Sequence, residues 1–179
     1  SEYLRSKYAG EKILEEFKGN SVILRPSVVF GPGDSFMNFF AKLQKYSPIM
    51  PMALTKTQFQ PIYLNDLIEI ILRCINMPKH KKIYTYECVG PEIFTLYEII
   101  KFSGIYSGRK AMVIPLPKFV GLIQAFILEK IPGPTLMSRD NIASMSVPSI
   151  ASKNEELVFK LEQPTSIHKV APKFLSKGN

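Results

Sequence analysis

The sequence predicts an α/β fold with parallel strands, and three observations lead to this prediction. Stretches with helical spacing of apolar residues alternate with short β-branched runs along the 179 residues, as in folds that pack helices on a parallel sheet. The run at 21–29, SVILRPSVV, is almost continuously apolar, which is typical of a strand covered on both faces. Breakers such as Gly31-Pro32-Gly33 separate these segments.

The first elements follow from local patterns. Ala9, Ile13 and Phe17 recur at a spacing of four and predict a helix over 3–17, with Gly19 as its C-cap. The predicted elements that follow are a strand at 21–29, a loop at 31–34 and a helix at 36–46.

The second half continues the alternation. Asn65 or Asp66 is predicted to cap a helix that ends near 76. Thr95 and Glu98 have the spacing of a capping box that opens the next helix, to about 103. Pro117 suits the first turn of a helix that runs to 130. The remaining predictions are strands at 58–64, 83–89 and 112–114, a breaker at 131–134, and helices at 135–144 and 163–175.

Composition indicates one globular core. Hydrophobic residues make up 46% and charged residues 21% of the chain, as in folded soluble domains. The net charge of +8 is diffuse, and its densest cluster, at 79–82, lacks the interleaved aromatic residues that a nucleic-acid surface needs. We therefore expect solvated lysines and no nucleic-acid partner. An anionic membrane surface or an acidic protein suits this charge better.

Cysteine content and hydropathy indicate the expected cellular compartment. Cys74 and Cys88 form no C-x-x-C pair, so free thiols in a reducing compartment are predicted and no metal site is. No signal peptide is recognised, and the most apolar stretch, 119–131, is too short to span a bilayer. We interpret it as a core helix, with a membrane-touching helix as the alternative. The expected location is cytoplasmic, or peripheral on the inner face of a membrane.

Tyr3 and Lys7 are the candidate catalytic residues. Their spacing of four places both side chains on one helix face, a turn apart. An ammonium at that distance favours the phenolate form of the tyrosine. The phenol can then exchange a proton with a carbinol or carbonyl while a nicotinamide exchanges the hydride. Tyrosine and lysine also occur four apart by chance, as surface neighbours, so the surrounding sequence has to decide.

That surrounding sequence resembles a known family. The Tyr-x-x-x-Lys pair is followed by Ala9-Gly10-Glu11, then by a strand reading RPSVVFGPG at 25–33, and then by IYLNDL at 62–67. These blocks, in this order, resemble the extended short-chain dehydrogenases/reductases. The strings YLRSKYAGE, VILRPSVVFGPGDSF and QPTSIHKVAPKFL are similar to the atypical branch that includes the nucleotide-binding accessory subunit of respiratory complex I and its bacterial relatives.

The resemblance implies roles for particular residues. Tyr3 matches the catalytic acid–base, and Lys7 matches its partner that also binds the ribose of the cofactor. Pro26, Ser27, Val28 and Val29 match the loop whose backbone meets the nicotinamide carboxamide. Asp66 matches a family aspartate, for which a purely structural capping role is the preferred interpretation.

The same resemblance implies that a part of the fold is missing. No G-x-G-x-x-G or G-x-x-G-x-x-G turn for a pyrophosphate occurs in the chain. We therefore expect the C-terminal part of a Rossmann-type fold with the small substrate-binding subdomain and without the N-terminal nucleotide-binding βαβ units. Residues 1–33 would be the remnant of the Rossmann sheet, and 34–179 the substrate or interaction subdomain interleaved with the remaining strands. NAD or NADP would bind only if the missing half is supplied.

Three functional hypotheses remain open from the sequence. The first is a truncated or split member of the family, inactive alone, whose nucleotide domain is removed or encoded as a separate chain; together the two would be an NAD(P)-dependent reductase or a cofactor-binding accessory protein. The second is a non-enzymatic interaction module on a respiratory membrane complex. The third is the product of a degraded reading frame. The segments 34–58 and 110–145, which would select the substrate, are apolar. They hint at a hydrophobic or isoprenoid-like ligand, or at a protein surface, instead of a sugar nucleotide.

Overall fold

The computed structural model describes residues 1–16, 19–77, 83–130 and 137–176. Helices and short strands alternate along them, and the bounds are α1 Glu2–Glu15, β1 Ser21–Pro26, β2 Val29–Phe30, α2 Met37–Tyr46, β3 Ile49–Ala53, β4 Gln58–Phe59, β5 Ile62–Tyr63, α3 Leu64–Ile75, β6 Ile83–Cys88, β7 Phe94–Thr95, α4 Leu96–Tyr106, β8 Met112–Leu116, α5 Lys118–Leu128, α6 Arg139–Met145 and α7 Ile167–Leu175, with a 3₁₀ turn at Glu155–Leu157.

The strands pair mostly in parallel. β1 pairs with β6, β2 with β5 and β3 with β8, all three parallel, while β4 and β7 are antiparallel. A parallel pair requires a long crossover connection, and here α2 and α3 lie between β1 and β6 in the chain. The predicted α/β class with parallel strands is confirmed.

The main core lies where α2, α4 and α7 meet β3, β4 and β7. Its fully buried members are apolar side chains from each of these elements, among them Phe40, Met52, Phe59, Ile99 and Ile167. A smaller cluster of Ile62, Ile70 and Cys88 joins β5, α3 and β6. Burial of each such side chain contributes about 1.5–3 kcal/mol, so these two clusters hold the helices to the strands.

Local sequence signals predicted the ends of most elements to within a few residues. The capping box of α4 forms as predicted, because Thr95 Oγ1 accepts from the amide of Glu98 while the Glu98 carboxylate accepts from the amide of Thr95. Pro117 stands as the N-cap of α5, and Ser166 is the N-cap of α7. Both helices therefore begin beside the residues that signalled them.

Prolines explain two differences from prediction. The strand β3 was not predicted because Pro51 interrupts its pattern, yet Pro51 points outward while Met50 and Met52 point into the core. A proline is tolerated in a strand where its missing amide donor is not needed. The single strand predicted at 58–64 is two strands, since Pro61 separates β4 from β5.

The prediction that Asn65 or Asp66 caps α3 is wrong. Tyr63 is the N-cap and makes no side-chain cap bond. The buried Asp66 instead accepts hydrogen bonds from the amide of Thr165 at 2.6 Å and from its hydroxyl at 2.8 Å. The carboxylate therefore ties the C-terminal segment to the first turn of α3, a structural function of another kind.

Helix α1 is the most exposed long element. None of its residues is buried, and Ile13 is 71% exposed. An amphipathic helix of a globular protein normally buries its apolar face, so the apolar side chains of α1 lack a covering surface within the described chain.

Some predictions fall on residues whose structure is not described. These are Phe17 at the end of the first helix, the basic cluster at 79–82, the breaker at 131–134, and the start of a helix at Thr135.

Candidate functional site

The front of α1 is held by two caps. Ser1 is the N-cap, and its hydroxyl accepts from the amide of Leu4 at 3.1 Å. Asp140, on α6, accepts from the amide of Glu2 at 2.6 Å and from the amide of Tyr3 at 3.3 Å. These amide bonds, the first of them above all, lower the pKa of the Asp140 carboxyl. The position of Tyr3 is thus set by a residue distant in sequence.

The back of α1 is held by an ion pair. Arg25, near the end of β1, donates from Nε to Glu11 Oε1 at 3.0 Å and from Nη2 to Glu11 Oε2 at 2.6 Å. Hydrogen bonding to Arg25 lowers the pKa of the Glu11 carboxyl. Two of the recognised motif blocks therefore contact each other, and their contact sets the angle between α1 and β1.

Tyr3 and Lys7 share one face of α1. The Lys7 ammonium nitrogen lies 5.5 Å from the centroid of the Tyr3 ring, within the range of a cation–π contact. Both side chains are exposed, and Tyr3 has 57% of its surface accessible. The pair is therefore open to a ligand that approaches from outside the described chain.

Tyr3 and the predicted carboxamide loop meet at one cavity of about 300 Å³, which we call the tyrosine cavity. Pro26, Ser27 and Val28 line it together with Tyr3 and Leu4. Lys7 and Val29 are not among its lining residues. Val29 lies instead in β2, paired with Ile62 and packed against the smaller core cluster.

Ser27 is buried, and its polar groups are already bonded. Its amide donates to the carbonyl of Cys88 at 3.0 Å, and its hydroxyl donates to the carbonyl of Ser149 at 2.6 Å. The Ser149 hydroxyl in turn donates to the Ser27 oxygen at 3.1 Å. Ser27 therefore shapes the cavity wall, and its amide is not available to a ligand.

The sequence did not reveal the opposite wall of the cavity. It comprises two aromatic side chains and the segment after α6, namely Phe36, Phe59, Ser144, Met145, Val147, Pro148 and Ser149. Ser149 forms an isolated parallel bridge with Phe59, which returns this segment to β4. No local pattern signals such a pairing between distant positions.

The described residues offer little for other chemistry. Among them, no group of three His, Cys, Asp or Glu side chains could hold a metal ion. Cys74 and Cys88 are both free thiols, the first half-buried and the second buried. Within the described ranges, every helix is too short or too polar to cross a membrane.

Comparison with known proteins identifies relatives of the chain. No protein-family model matches the chain. The chain is 30% identical over 132 residues to NADH dehydrogenase [ubiquinone] 1 alpha subcomplex subunit 9, mitochondrial, of Dictyostelium discoideum, covering 73% of this chain and 37% of that protein. The mouse protein of the same name is 32% identical over 121 residues, covering 67% of this chain and 32% of that protein. The chain thus spans about a third of the length of these relatives.

A solved structure supports the fold. The chain matches the dTDP-glucose 4,6-dehydratase of Bacillus anthracis, solved in complex with NAD, with a TM-score of 0.54 and 11% identity over 86% of this chain and 43% of that one. At this identity the match speaks for the fold alone. Together with the relatives, it confirms the resemblance that the motifs predicted: the chain is a homologue of the extended short-chain dehydrogenases/reductases, related to the alpha subcomplex subunit 9 proteins.

Proposed function

We propose that this chain supplies the tyrosine–lysine pair and the substrate-side walls of an NAD(P)-dependent oxidoreductase whose dinucleotide is held mainly by further polypeptide. The observation that carries the proposal is the convergence of Tyr3 with Pro26 and Val28 on one cavity. Residues 1–33 form the part that joins the dinucleotide sheet, and residues 34–179 form the substrate subdomain with its remaining strands.

The residues fit one end of such a cofactor. Lys7, exposed beside Tyr3, can donate to ribose hydroxyls. The loop at 26–28 can contact a carboxamide through those of its polar atoms that form no hydrogen bond within the chain. The pyrophosphate end has no counterpart, since no glycine-rich turn occurs in the chain. When bound, the cofactor supplies the hydride. Tyr3 exchanges the proton at the substrate oxygen.

The need for further polypeptide is supported by uncovered surfaces. Tyr8 and Ile13 on α1 are 59% and 71% exposed, and among the described residues β1 and β6 form a two-stranded sheet. Two-stranded sheets are at best marginally stable alone. A neighbouring βαβ unit that adds strands beside β1 would cover both the strand edge and α1.

Cofactor titration tests this proposal. NADH and NADPH fluorescence is measured with the chain alone and with the chain co-expressed with a polypeptide that supplies a glycine-rich βαβ unit. We expect no saturable binding by the chain alone and binding by the pair. In the pair, Lys7→Met weakens cofactor binding, while Tyr3→Phe leaves binding intact and abolishes hydride transfer to a carbonyl substrate.

Lys12→Met is the matched control, because Lys12 lies on the same helix but bonds to Glu15 at 2.7 Å, away from the cavity. It should bind cofactor like the unmodified pair. Tight NADH binding by the chain alone, or equal losses in Lys7→Met and Lys12→Met, would overturn the proposal.

A second candidate function is a non-catalytic module of a respiratory membrane complex. The names of the mitochondrial relatives favour it, and so does the apolar outer face of α5, where Phe119, Ile123 and Ile127 are 66%, 57% and 57% exposed. In this function the chain is peripheral to the membrane and docks through α5. Phe119→Ser with Ile123→Ser should abolish co-sedimentation with respiratory membranes. Tyr46→Ser, at a site 87% exposed on another helix, should leave co-sedimentation unchanged, and so should Tyr3→Phe.

A further inference from the structure

Three cavities lie in a row from Tyr3 toward α5. The tyrosine cavity shares Phe36 and Met145 with a second cavity of about 310 Å³, the middle cavity. The middle cavity shares Phe39, Met52 and Met137 with a third of about 220 Å³, the far cavity. Because adjacent cavities share lining residues, the three cavities are neighbours, and we call the series the apolar corridor. The tyrosine and middle cavities are at the lower end of the range for ligand pockets, about 300–1,000 Å³, and the far cavity is below it.

The corridor is uncharged. Its described lining contains no Asp, Glu, Lys, Arg or His, although the whole chain carries a net charge of +8. A nucleoside diphosphate sugar needs charged donors for its pyrophosphate, because burying a phosphate without them is costly. The lining therefore disfavours that ligand class.

The walls suit a flexible apolar chain. Four of the seven methionines in the sequence line the corridor, namely Met50, Met52, Met137 and Met145. Methionine is unbranched and polarizable, so it adapts to apolar ligands of varied shape. Phe36, Phe39 and Phe40 supply rigid apolar surface beside them.

Polar side chains are most numerous at the tyrosine cavity. Four hydroxyl-bearing residues line it, namely Tyr3, Ser27, Ser144 and Ser149, while the middle cavity has Ser35 and Asn141. The far cavity has Ser47 and Gln124 in its described lining; the Gln124 amide donates to the carbonyl of Pro51 at 3.4 Å, and its oxygen is buried without a hydrogen-bond partner among the described residues. A ligand matched to this gradient has one oxygen function at its end and a long hydrocarbon tail.

We propose that the substrate is a single-chain lipid, an acyl or prenyl chain with a terminal alcohol or carbonyl, whose oxygen lies at Tyr3 and whose tail runs through the corridor toward α5. This inference rests on the proposed function for the identity of the reacting end. The binding of the tail depends on the corridor alone, so the two can be tested separately.

Methionine methyl groups report on the corridor directly. The chain is labelled with ¹³C at the methionine ε-methyl groups and titrated with n-dodecanol in the absence of cofactor. The methyl signals of Met50, Met52, Met137 and Met145 should shift, while those of the exposed Met112 and of Met77 should not. Affinity should increase from n-hexanol to n-dodecanol by about two- to fourfold per methylene.

A plug in the corridor provides the decisive variant. Met137 lines both the middle and the far cavity, so the larger side chain in Met137→Trp should block the passage between them. n-Dodecanol should then still shift the methyl signal of Met145 but no longer that of Met50. Met112→Trp is the control, because Met112 is 60% exposed and lines none of the three cavities. Ser35→Trp, which plugs the middle cavity from an exposed position, replaces Met137→Trp if that variant does not fold.

Separate outcomes identify which proposal fails. Uniform shifts of all methionine methyls, an affinity independent of chain length, or binding of UDP-glucose as tight as that of n-dodecanol would overturn the lipid assignment. If the alcohols bind along the corridor but the pair with the βαβ unit transfers no hydride, the proposed function fails and the corridor stands.

Discussion

Arg25 and Glu11 join β1 to α1 through two parallel hydrogen bonds, 3.0 and 2.6 Å long. The two residues belong to the motif blocks that led to the family, yet neither faces the tyrosine cavity. Their pairing gives both residues a structural role, because α1 carries Tyr3 and β1 ends in Pro26. The ion pair thus fixes the relative position of the two elements that meet at the cavity.

Replacing Arg25 by Lys should loosen this connection, since an ammonium cannot form the paired bonds. Arg25 is half exposed, so we expect a loss of only about 0.5–1 kcal/mol in the free energy of unfolding. The pKa of Glu11 is lowered in the folded chain, so the contribution is present above the unfolded pKa and is lost as the pH falls through the folded one. Urea unfolding at neutral and acid pH measures both effects.

The control for this variant is Arg73→Lys, because Arg73 pairs with Glu69 within α3 alone. It should change the stability less and leave α1 unaffected. If the two residues act through one shared interaction, the double variant Glu11→Gln/Arg25→Lys should be as stable as either single variant. Additive losses would contradict the pairing.

Asp140→Asn should release the front of α1 from α6. The carboxylate accepts two amide bonds and a bond from the Ser1 hydroxyl at 3.3 Å, and an asparagine has one acceptor oxygen without charge. We expect faster amide hydrogen exchange over the first turns of α1 and no change in α4. Because these amides lower the pKa of Asp140, the unmodified chain should show the same loosening as the pH falls through that lowered pKa.

Ser138→Ala separates this effect from fraying of α6 itself. Ser138 is the N-cap of α6, and its hydroxyl accepts from the amide of Asn141 at 3.0 Å. The variant should speed exchange in α6 by loss of the cap, worth about 1 kcal/mol, while α1 keeps its bonds to Asp140. Equal loosening of α1 in both variants would show that Asp140 acts only through its own helix.

The sequence predicted those features that depend on neighbours along the chain. The helix with Tyr3 and Lys7 and the capping box at Thr95 follow from spacing within a few residues. The strand predicted at 21–29 is instead two strands, β1 and β2, which pair with different partners. Asp66 was assigned to a cap because capping is the local use of an aspartate, whereas its partner Thr165 is 99 positions away. Ser149 and Asp140 reach the site only through tertiary contacts, which no local period encodes.

Cys88 should resist alkylation in the folded chain. Burial raises the pKa of its thiol to about 11, with a smaller contribution from Cys74. A thiol with a raised folded pKa stabilises the fold below its unfolded pKa of about 9, and this contribution is lost as the pH rises toward 11. Iodoacetamide at pH 8 should therefore leave Cys88 unlabelled until urea unfolds the chain. Rapid labelling of Cys88 without denaturant, read by mass spectrometry of peptides, would show that β6 opens readily.

Gly104→Ala should disrupt the contact between α2 and α4. A Cβ atom there would lie 2.1 Å from Gln44 Oε1 and 2.4 Å from the carbonyl oxygen of Arg109. The Gln44 side chain cannot move away cheaply, because its amide donates to the carbonyl of Ile100 at 2.9 Å and its oxygen accepts from the amide of Ala111 at 3.1 Å. We expect a loss of about 1–3 kcal/mol in the free energy of unfolding, measured with urea.

Gly10→Ala is the matched opposite. Gly10 lies within α1, and a Cβ atom there would meet no atom within 4 Å. Alanine is the better helix former, so this variant should gain about 0.5–1 kcal/mol. The two substitutions add the same methyl group, and only their surroundings differ. If both variants lost stability to the same degree, close packing at Gly104 could not be the cause, and Gln44 would not be the bridge that holds α2 against α4.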